Sequence, residues 1–238
     1  MLAVIAFTTF AVFLSAIIRQ ISGFGFALVS MPLITMILGI RVATPFVAIA
    51  ATTVGLIMIH SNWREADRRI LLQLYGWALL GIPGGILLFG VLPEEWVKRG
   101  LGALLVGYSL YALVQPQLPL VRNKWLTAVC GVISGVLTGA YNTGGPPVVV
   151  YGTLRHWPPE QFRATLQLFF VLITGIAMIA HGMAGMWTAE IWWLYLYSLP
   201  GLILGQLAGE RLHRMIPRHL FNRVIYSMLI VSGLVFFL

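Results

Sequence analysis

The sequence predicts an all-α polytopic membrane protein built as two inverted repeats, each opening with a broken or re-entrant helical hairpin. The 238 residues are 59% hydrophobic and only 9% charged, with a mean hydropathy of +0.91, whereas soluble domains are about 25% charged. Apolar runs recur from end to end with short polar breaks. Two of these breaks are rich in glycine and stand at matching places in the two halves of the chain.

Ten apolar segments follow one another along the chain. They cover residues 2–18, 26–38, 42–60, 70–90, 97–115, 125–139, 147–154, 164–186, 190–207 and 220–238. The motif SGFGF (22–26) joins the first two segments, and AYNTGGPP (140–147) joins the sixth and seventh. These paired segments are 8 to 17 residues long, which is short of the roughly 20 residues that a span requires. Each pair is therefore expected to form a broken helix or a re-entrant hairpin.

The two halves resemble each other, which predicts a membrane repeat at residues 1–119 and a second at 120–238. Corresponding residues lie 117 to 122 positions apart and keep the same order. Each half contains one hairpin and three full spans, an odd number of crossings, so the repeats are expected to be inverted. The matching residues are Arg41 with Arg163, Thr53 with Thr174, Gly55 with Gly175, Met58 with Met178, His60 with His181, Tyr75 with Tyr195, and Pro83-Gly84 with Pro200-Gly201.

The basic residues predict the orientation in the membrane. They occupy short loops rather than one continuous patch, so the net charge of +8 indicates topology and not nucleic-acid binding. The predicted topology gives one face 11 basic residues and the other face 3. The positive-inside rule makes the first face cytoplasmic, with both termini on the outer side. The first face carries Arg64, Arg68, Arg69, Arg122, Lys124, Arg155, Arg163, Arg211, Arg214, Arg218 and Arg223, and the second carries Arg41, Lys98 and Arg99.

Residues that would support other chemistries are scarce. The only Asp, Asp67, and the six Glu lie in or beside predicted loops, so no carboxylate is available for a midplane proton relay or sodium site. The single Cys130 excludes an intrachain disulfide and argues against a metal cluster, and we expect no cofactor. His60 and His181 lie at segment ends, where interfacial placement is favoured over proton coupling. The HExxH, SxxK and acidic metal motifs of enzymes are missing.

The two glycine-rich breaks are the candidate substrate site. Arg19 and Gln20 precede the first break, and Tyr141, Asn142 and Thr143 lie within the second. A helix is expected to restart after each break, and prolines are tolerated in the first turn of such a helix. Inverted repeats would bring both helix N-termini, their glycine N–H groups and the arginine together at the membrane midplane. That arrangement predicts an anion site.

Alternatives to this interpretation remain open. Arg19 could instead extend its charged head to the membrane interface. The glycines could serve close helix packing, as isolated glycines in membrane helices are expected to do, and the prolines could only kink helices. Phe24 and Phe26 are candidates for gating side chains and, equally, for plain packing residues.

Three stretches resemble the sulfite exporter TauE/SafE family, also called TSUP, over essentially the whole chain. They are SGFGFALVSMPLI (22–34), GVLTGAYNTGGPPVVVYGTL (135–154) and FRATLQLFF (162–170). The resemblance implies a bacterial or archaeal inner-membrane transporter of about eight helices in inverted repeats, which moves sulfite, thiosulfate or organosulfonates, commonly outward. It also implies substrate-binding roles by position for Gly23, Phe24, Gly25, Phe26, Gly139, Asn142, Gly144, Gly145, Pro146 and Pro147.

The sequence thus predicts a secondary transporter, an exporter of a small sulfur-containing anion that works by alternating access. An anion channel and, less favoured, an intramembrane enzyme are the alternatives. Arg19 would supply charge, and Gln20, Asn142 and Thr143 would supply directed hydrogen bonds. Relatives are often richer in glycine where this chain has Ala140 to Thr143, which leaves the choice of anion open. The expected partners are that anion and the lipid bilayer, without nucleic acid, and a co-transported proton and a homodimer stay open.

Overall fold

The secondary structure is helical throughout the described part of the chain. The computed structural model describes residues 2–58, 63–114, 119–121, 123–213 and 218–237. Within these ranges it contains ten α-helices, one 3₁₀ turn at Trp63–Glu65 and no β-strand. The prediction of an all-α protein is confirmed. His60, Arg122 and Arg214, which the sequence placed at helix ends and loops, lie outside the described residues.

A polytopic membrane protein needs helices long and apolar enough to cross a membrane, and the described residues contain six: Leu2–Ser22, Ile40–Met58, Arg68–Val91, Glu94–Val114, Pro159–Met183 and Ala189–Leu212. Three predicted bounds differ by four residues or more, namely the end of the first segment, the start of the eighth and the end of the ninth. The first helix is 21 residues long because Arg19 and Gln20 continue it. The first segment is therefore long enough to span. The helices are α1 (Leu2–Ser22), α2 (Phe26–Leu38), α3 (Ile40–Met58), α4 (Arg68–Val91), α5 (Glu94–Val114), α6 (Lys124–Tyr141), α7 (Gly145–Leu154), α8 (Pro159–Met183), α9 (Ala189–His213) and α10 (Arg218–Val235).

The chain forms two compact units, and each unit draws on both halves of the sequence. The first unit comprises Met1–Ala50, Leu92–Pro116 and Trp187–Leu238, and the second comprises Ala51–Val91 and Gln117–Met186. In the first unit α1 packs along α9 and α5 along α10. In the second unit α4 packs along α6, and α7 and α8 pack against them. The duplication into residues 1–119 and 120–238 thus remains a prediction about sequence repeats, whose bounds differ from those of the units.

Glycines at four-residue spacing allow the main helix pairs to approach backbone to backbone. In the second unit, a Cβ at Gly135 of α6 would overlap the backbone of Ala78 on α4, and one at Gly85 of α4 would overlap the Val136 carbonyl. In the first unit, Gly205 of α9 stands against the Phe13 backbone of α1 in the same way. Small residues at this spacing are the usual device by which membrane helices associate closely. These isolated glycines therefore serve packing, as the sequence suggested.

Both helix pairs that flank a glycine-rich break double back on themselves. In the second unit the Val121 N–H donates to the Leu154 carbonyl at 3.0 Å, so the start of α6 lies beside the end of α7. In the first unit a cleft of about 530 Å³ is lined by Val4 at the start of α1 and Leu38 at the end of α2. Each hairpin therefore returns to the end of its unit at which it began.

The glycine packing predicts a position-specific response to alanine. Gly135→Ala should lower the stability of the protein by about 1–3 kcal/mol, because the new methyl group overlaps the Ala78 backbone in a closely packed interface. Gly76→Ala on α4 is the matched control, since nothing lies within 4 Å of its added Cβ. Thermal unfolding of the purified proteins in detergent measures both. Equal unfolding midpoints for the two variants would contradict the proposed backbone contact.

Candidate functional site

The first break is a glycine-dependent change of direction between α1 and α2. Gly23 has φ 84° and Gly25 has φ 97°, values that side chains other than glycine adopt at a cost. The Gly23 N–H donates to the Arg19 carbonyl at 2.7 Å and closes the last turn of α1. The Ser22 hydroxyl lies within hydrogen-bond distance of the Ile18 and Phe24 carbonyls. Backbone conformation, rather than lack of space, is what requires glycine here, because a Cβ at Gly23 would meet nothing within 4 Å.

The side chains beside the first break are enclosed to different degrees. Arg19 is only 3% exposed and lies on a buried polar stripe of α1 with Thr8 and Ser15. A guanidinium that extends to a lipid interface keeps its head in water, so this burial argues against that alternative. Phe26 is 1% exposed and packs in the core. Phe24 is half-buried and meets Tyr108 edge to face, with ring centroids 6.3 Å apart.

Gln20 is half-buried and carries a carboxamide oxygen without a partner among the described residues. Its stem lies against Gly209 of α9, where a Cβ would come within 2.7 Å of the Gln20 Cβ. The helix contact therefore fixes the start of this side chain and leaves its polar end available for a ligand.

The second break is closed by a Schellman-type cap. Asn142 takes the left-handed conformation with φ 54° and ψ 19°, which asparagine tolerates better than most side chains. Its N–H donates to the Thr138 carbonyl at 2.9 Å, and the Thr143 N–H donates to the Leu137 carbonyl at 3.3 Å, the bond pattern of that motif. Asn142 and Thr143 are 4% and 2% exposed, and Tyr141 is half-buried. Two polar side chains are thus held inside the protein at the break.

The two breaks share part of their local geometry at a constant spacing of 119 residues. Gly23 in the first break and Asn142 in the second are both left-handed, and the helix resumes after Gly25 and after Gly144. The breaks differ at this last position, because Gly25 has φ 97° and Gly144 has φ −69°. Buried hydroxyl side chains precede each break at the same spacing, Ser15 on α1 and Ser134 on α6. Equivalent backbone geometry at equivalent positions supports an internal duplication.

The backbone donors at the two breaks differ. The first turn of α2 consists of Phe26, Ala27 and Leu28, each with an N–H that the helix itself cannot pair. The first turn of α7 contains Pro146 and Pro147, which lack an N–H, so Gly145 is its only donor. Gly144 precedes the first turn of α7 and is also needed for close packing, because a Cβ there would overlap the Thr138 hydroxyl.

Gly139 and Gly145 lie in packed surroundings as well. A Cβ at Gly139 would overlap the Ile82 carbonyl of α4, and one at Gly145 would come within 3.1 Å of the Phe170 ring. Of the predicted site residues, Arg19, Gln20 and residues 23–26 belong to the first unit, and Gly139 with residues 141–147 belongs to the second.

His181 lies in the last turn of α8, at the helix end that the sequence predicted, and it is fully buried within the protein. Its Nε2 lies 2.9 Å from the Gly139 carbonyl oxygen. That carbonyl needs an outside donor, because the Thr143 N–H, its regular helical partner, bonds to Leu137 instead. His181 on α8 thus caps the end of α6 one turn before the break, as the Nε2–H tautomer. The two residues are 42 positions apart, and no sequence pattern links them.

Carboxylates and metal ligands are not part of either break. Asp67 accepts from the Ile70 N–H at 3.0 Å and caps α4, and each of the six Glu lies within about one turn of a helix end. Among the described residues, no three His, Cys, Asp or Glu side chains come together to hold a metal ion. The charged side chain closest in sequence to either break is Arg19, which favours an anion as the ligand.

The cap formed by His181 predicts a graded effect of substitution. His181→Phe keeps a planar ring but leaves the buried Gly139 carbonyl without its donor, which should lower stability by about 1–3 kcal/mol. His181→Gln retains an N–H donor and should lose less. Ile179→Phe, at an exposed position two residues away on the same helix, 52% exposed, is the matched control. Thermal unfolding in detergent ranks the variants, and a Phe variant as stable as its control would rule out the capping role.

Comparisons with known proteins show which proteins this chain resembles. The model of the sulfite exporter TauE/SafE family matches residues 8–236. A probable inner membrane transporter protein TsaS of Comamonas testosteroni is 28% identical over 182 residues, 74% of this chain and 76% of that protein. A probable sulfite/organosulfonate exporter TauE of Cupriavidus necator is 24% identical over 237 residues, 90% of this chain and 86% of that protein. No solved structure matches. Because the family model covers nearly the whole chain, the protein belongs to the sulfite exporter TauE/SafE family.

Proposed function

We propose that this protein is a secondary transporter that exports a small sulfur-containing anion, such as sulfite, thiosulfate or an organosulfonate, across the bacterial or archaeal inner membrane. Two relatives support the proposal through their names, one a probable inner membrane transporter and the other a probable sulfite/organosulfonate exporter. Alternating access of two inverted repeats around a midplane site would perform the transport.

The pair of equivalent breaks is the observation that carries this proposal. A helix that stops inside a membrane is tolerated only where its ends are buried in protein or line a cavity. Buried polar side chains lie at or just before both breaks, Arg19 in the last turn of α1 and Asn142 with Thr143 within the second break. Each of these helix ends is suited to bind an anion.

Each site residue then has a distinct role. Arg19 supplies the positive charge, and the N–H groups of the first turn of α2 supply backbone donors. The Thr143 hydroxyl is buried without a hydrogen-bond partner among the described residues, and a buried hydroxyl in that state costs free energy until a ligand pairs it. Asn142 and Gln20 add side-chain donors. A proton can accompany the anion as bisulfite, so coupling to protons needs no protein carboxylate.

The orientation proposal predicts the labelling of single cysteines. Cys130→Ala removes the only native cysteine, and Glu65, Glu95, Glu160 and Ala184 are exposed positions for new ones. Cysteines at Glu65 and Glu160 should react only from the cytoplasmic side, because the second hairpin returns between them. Cysteines at Glu95 and Ala184 should react only from outside. Impermeant maleimide applied to whole cells and to inverted vesicles distinguishes the sides, and opposite labelling of Glu65 and Glu160 would refute the re-entrant hairpin.

The site proposal predicts that the Asn142 side chain matters separately from its backbone. Asn142→Gly keeps the left-handed conformation but removes the amide, so the protein should fold normally while sulfite transport falls about tenfold, the loss expected for one hydrogen bond to a charged ligand. Arg19→Gln should reduce transport further. His156→Gly changes the other left-handed non-glycine residue, which is exposed, and should transport like the parent.

Counterflow of labelled sulfite in proteoliposomes is the measurement for these variants. A transporter shows trans-stimulation by unlabelled substrate, and a channel does not, so the same assay separates the proposal from its nearest alternative. Parent rates in both Asn142→Gly and Arg19→Gln, at equal insertion, would refute the assigned site. Loss of trans-stimulation in the parent protein would favour the channel.

A further inference from the structure

A second polar recess lies in the second unit, away from the break. It is a cleft of about 840 Å³ bounded by the first turn of α4, the first turns of α6 and the end of α7. Its lining includes Arg69, Gln73, Asn123, Thr127, Tyr151 and Arg155. Nothing in the sequence motifs assigned a role to this group, because its members are spread over 87 residues of chain.

The charge in the cleft is positive and available to a ligand. Arg69 is exposed and has no ion-pair partner among the described residues. Arg155 is half-exposed, and its guanidinium lies 5.8 Å from the Tyr151 ring centre. The one carboxylate in the lining, Asp67, is already engaged by the Ile70 N–H at 3.0 Å and by Gln161 Nε2 at 3.4 Å. Two arginines therefore face the cleft against a single, occupied carboxylate.

The helix ends around the cleft are already capped, so the arginines are its available charged donors. Both α4 and α6 begin here, at Arg68 and Lys124, and their first turns donate to the Asp67 and Asn123 side chains. The Tyr151 side chain forms a buried wall, 1% exposed, with its hydroxyl 3.0 Å from the Thr127 Oγ1. Two arginine side chains suit a tetrahedral oxyanion such as a phosphate or sulfonate group.

The corresponding cleft of the first unit shows that this polarity is not a requirement of the fold. That cleft also lies where a hairpin returns to the start of a long helix, here α9. Its lining, however, is mainly apolar, with Val4, Ile5, Leu38 and Leu194 and the single charged residue Glu190. The same local architecture therefore tolerates an apolar lining, so the fold itself does not require two arginines at this place.

The cleft also lies at the depth of lipid headgroups. It stands at the start of α4, which is a 24-residue candidate span. Trp125 and Trp77 are 74% and 41% exposed at its rim, and exposed tryptophans are typical of the membrane interface. Basic pockets between helix ends on the cytoplasmic side are a known means of holding anionic headgroups.

We propose that this cleft is a second oxyanion site, separate from the breaks, that binds a phosphate- or sulfonate-type group through Arg69 and Arg155. The group arrives either as the headgroup of an anionic phospholipid or as a free oxyanion. The site does not depend on the proposed transport function, because the recognition is the same whatever anion the protein moves.

Lipid binding to the purified full chain in detergent tests the proposal. Native mass spectrometry compares retained phosphatidylglycerol with retained phosphatidylcholine for the parent and for the Arg69→Gln/Arg155→Gln double variant. The double variant should bind phosphatidylglycerol about five- to tenfold more weakly, because it loses the binding free energy of two solvent-exposed ion pairs, each of which is modest. Arg69→Lys/Arg155→Lys keeps both charges and should retain most of the binding. The charge-matched control is Arg211→Gln/Arg223→Gln, two exposed arginines of the first unit.

The outcomes separate the two sources of the oxyanion. Selective, arginine-dependent retention of phosphatidylglycerol that inorganic phosphate does not displace identifies a lipid headgroup. Arginine-dependent displacement by inorganic phosphate at millimolar concentration identifies a site for a free oxyanion. If the Gln double variant binds phosphatidylglycerol and phosphate as the parent does, or if the control variant loses as much binding, the proposed site is refuted. Gel-filtration profiles identical to the parent confirm that the exposed substitutions leave the fold intact.

Discussion

Backbone contact between glycine-bearing helices is the interaction on which the rest of the structure depends. The first arm of each hairpin is held against a long helix, α1 against α9 and α6 against α4. The two backbones are so close that even an added Cβ would overlap the facing helix. Without a hydrophobic driving force between helices in lipid, such close contact supplies the association energy. Because α6 is fixed along α4, the break that follows Tyr141 has a defined position.

Each break then has to satisfy backbone groups that a continuous helix would pair internally. In the second unit most of these groups are either paired or absent. The Schellman-type cap and the His181 ring pair backbone groups at the end of α6, and the two prolines at the start of α7 lack an N–H. In the first unit two left-handed glycines and one serine hydroxyl do less, and the first turn of α2 keeps its N–H donors. The two breaks are therefore unequal, with charge and backbone donors at the first and side-chain amide and hydroxyl groups at the second.

Local features of this fold can be predicted from the sequence, and long-range ones cannot. The breaks and nearly all helix bounds follow from the glycines, prolines and apolar runs of the stretch concerned. The glycine spacing at 131, 135 and 139 was also readable as a packing face. The sequence could not decide whether Arg19 is buried, because the last turn of a helix can lie at the membrane interface or inside the protein. The Gly139 contact of His181 and the Arg69 to Arg155 cleft depend on tertiary folding between distant segments.

The pairing of α1 with α9 has a consequence for biosynthesis. The α1 face that bears Thr9, Phe13 and Gln20 meets α9 only when the chain has been made as far as about Gly209. Until then a helix that also carries Arg19 has left the ribosome without one of the helices it packs against. Contacts of such large sequence separation form late and slowly, so the first hairpin is the part of this protein that most needs protection by the insertion machinery. The α4–α6 pair, much closer in sequence, can assemble while synthesis continues.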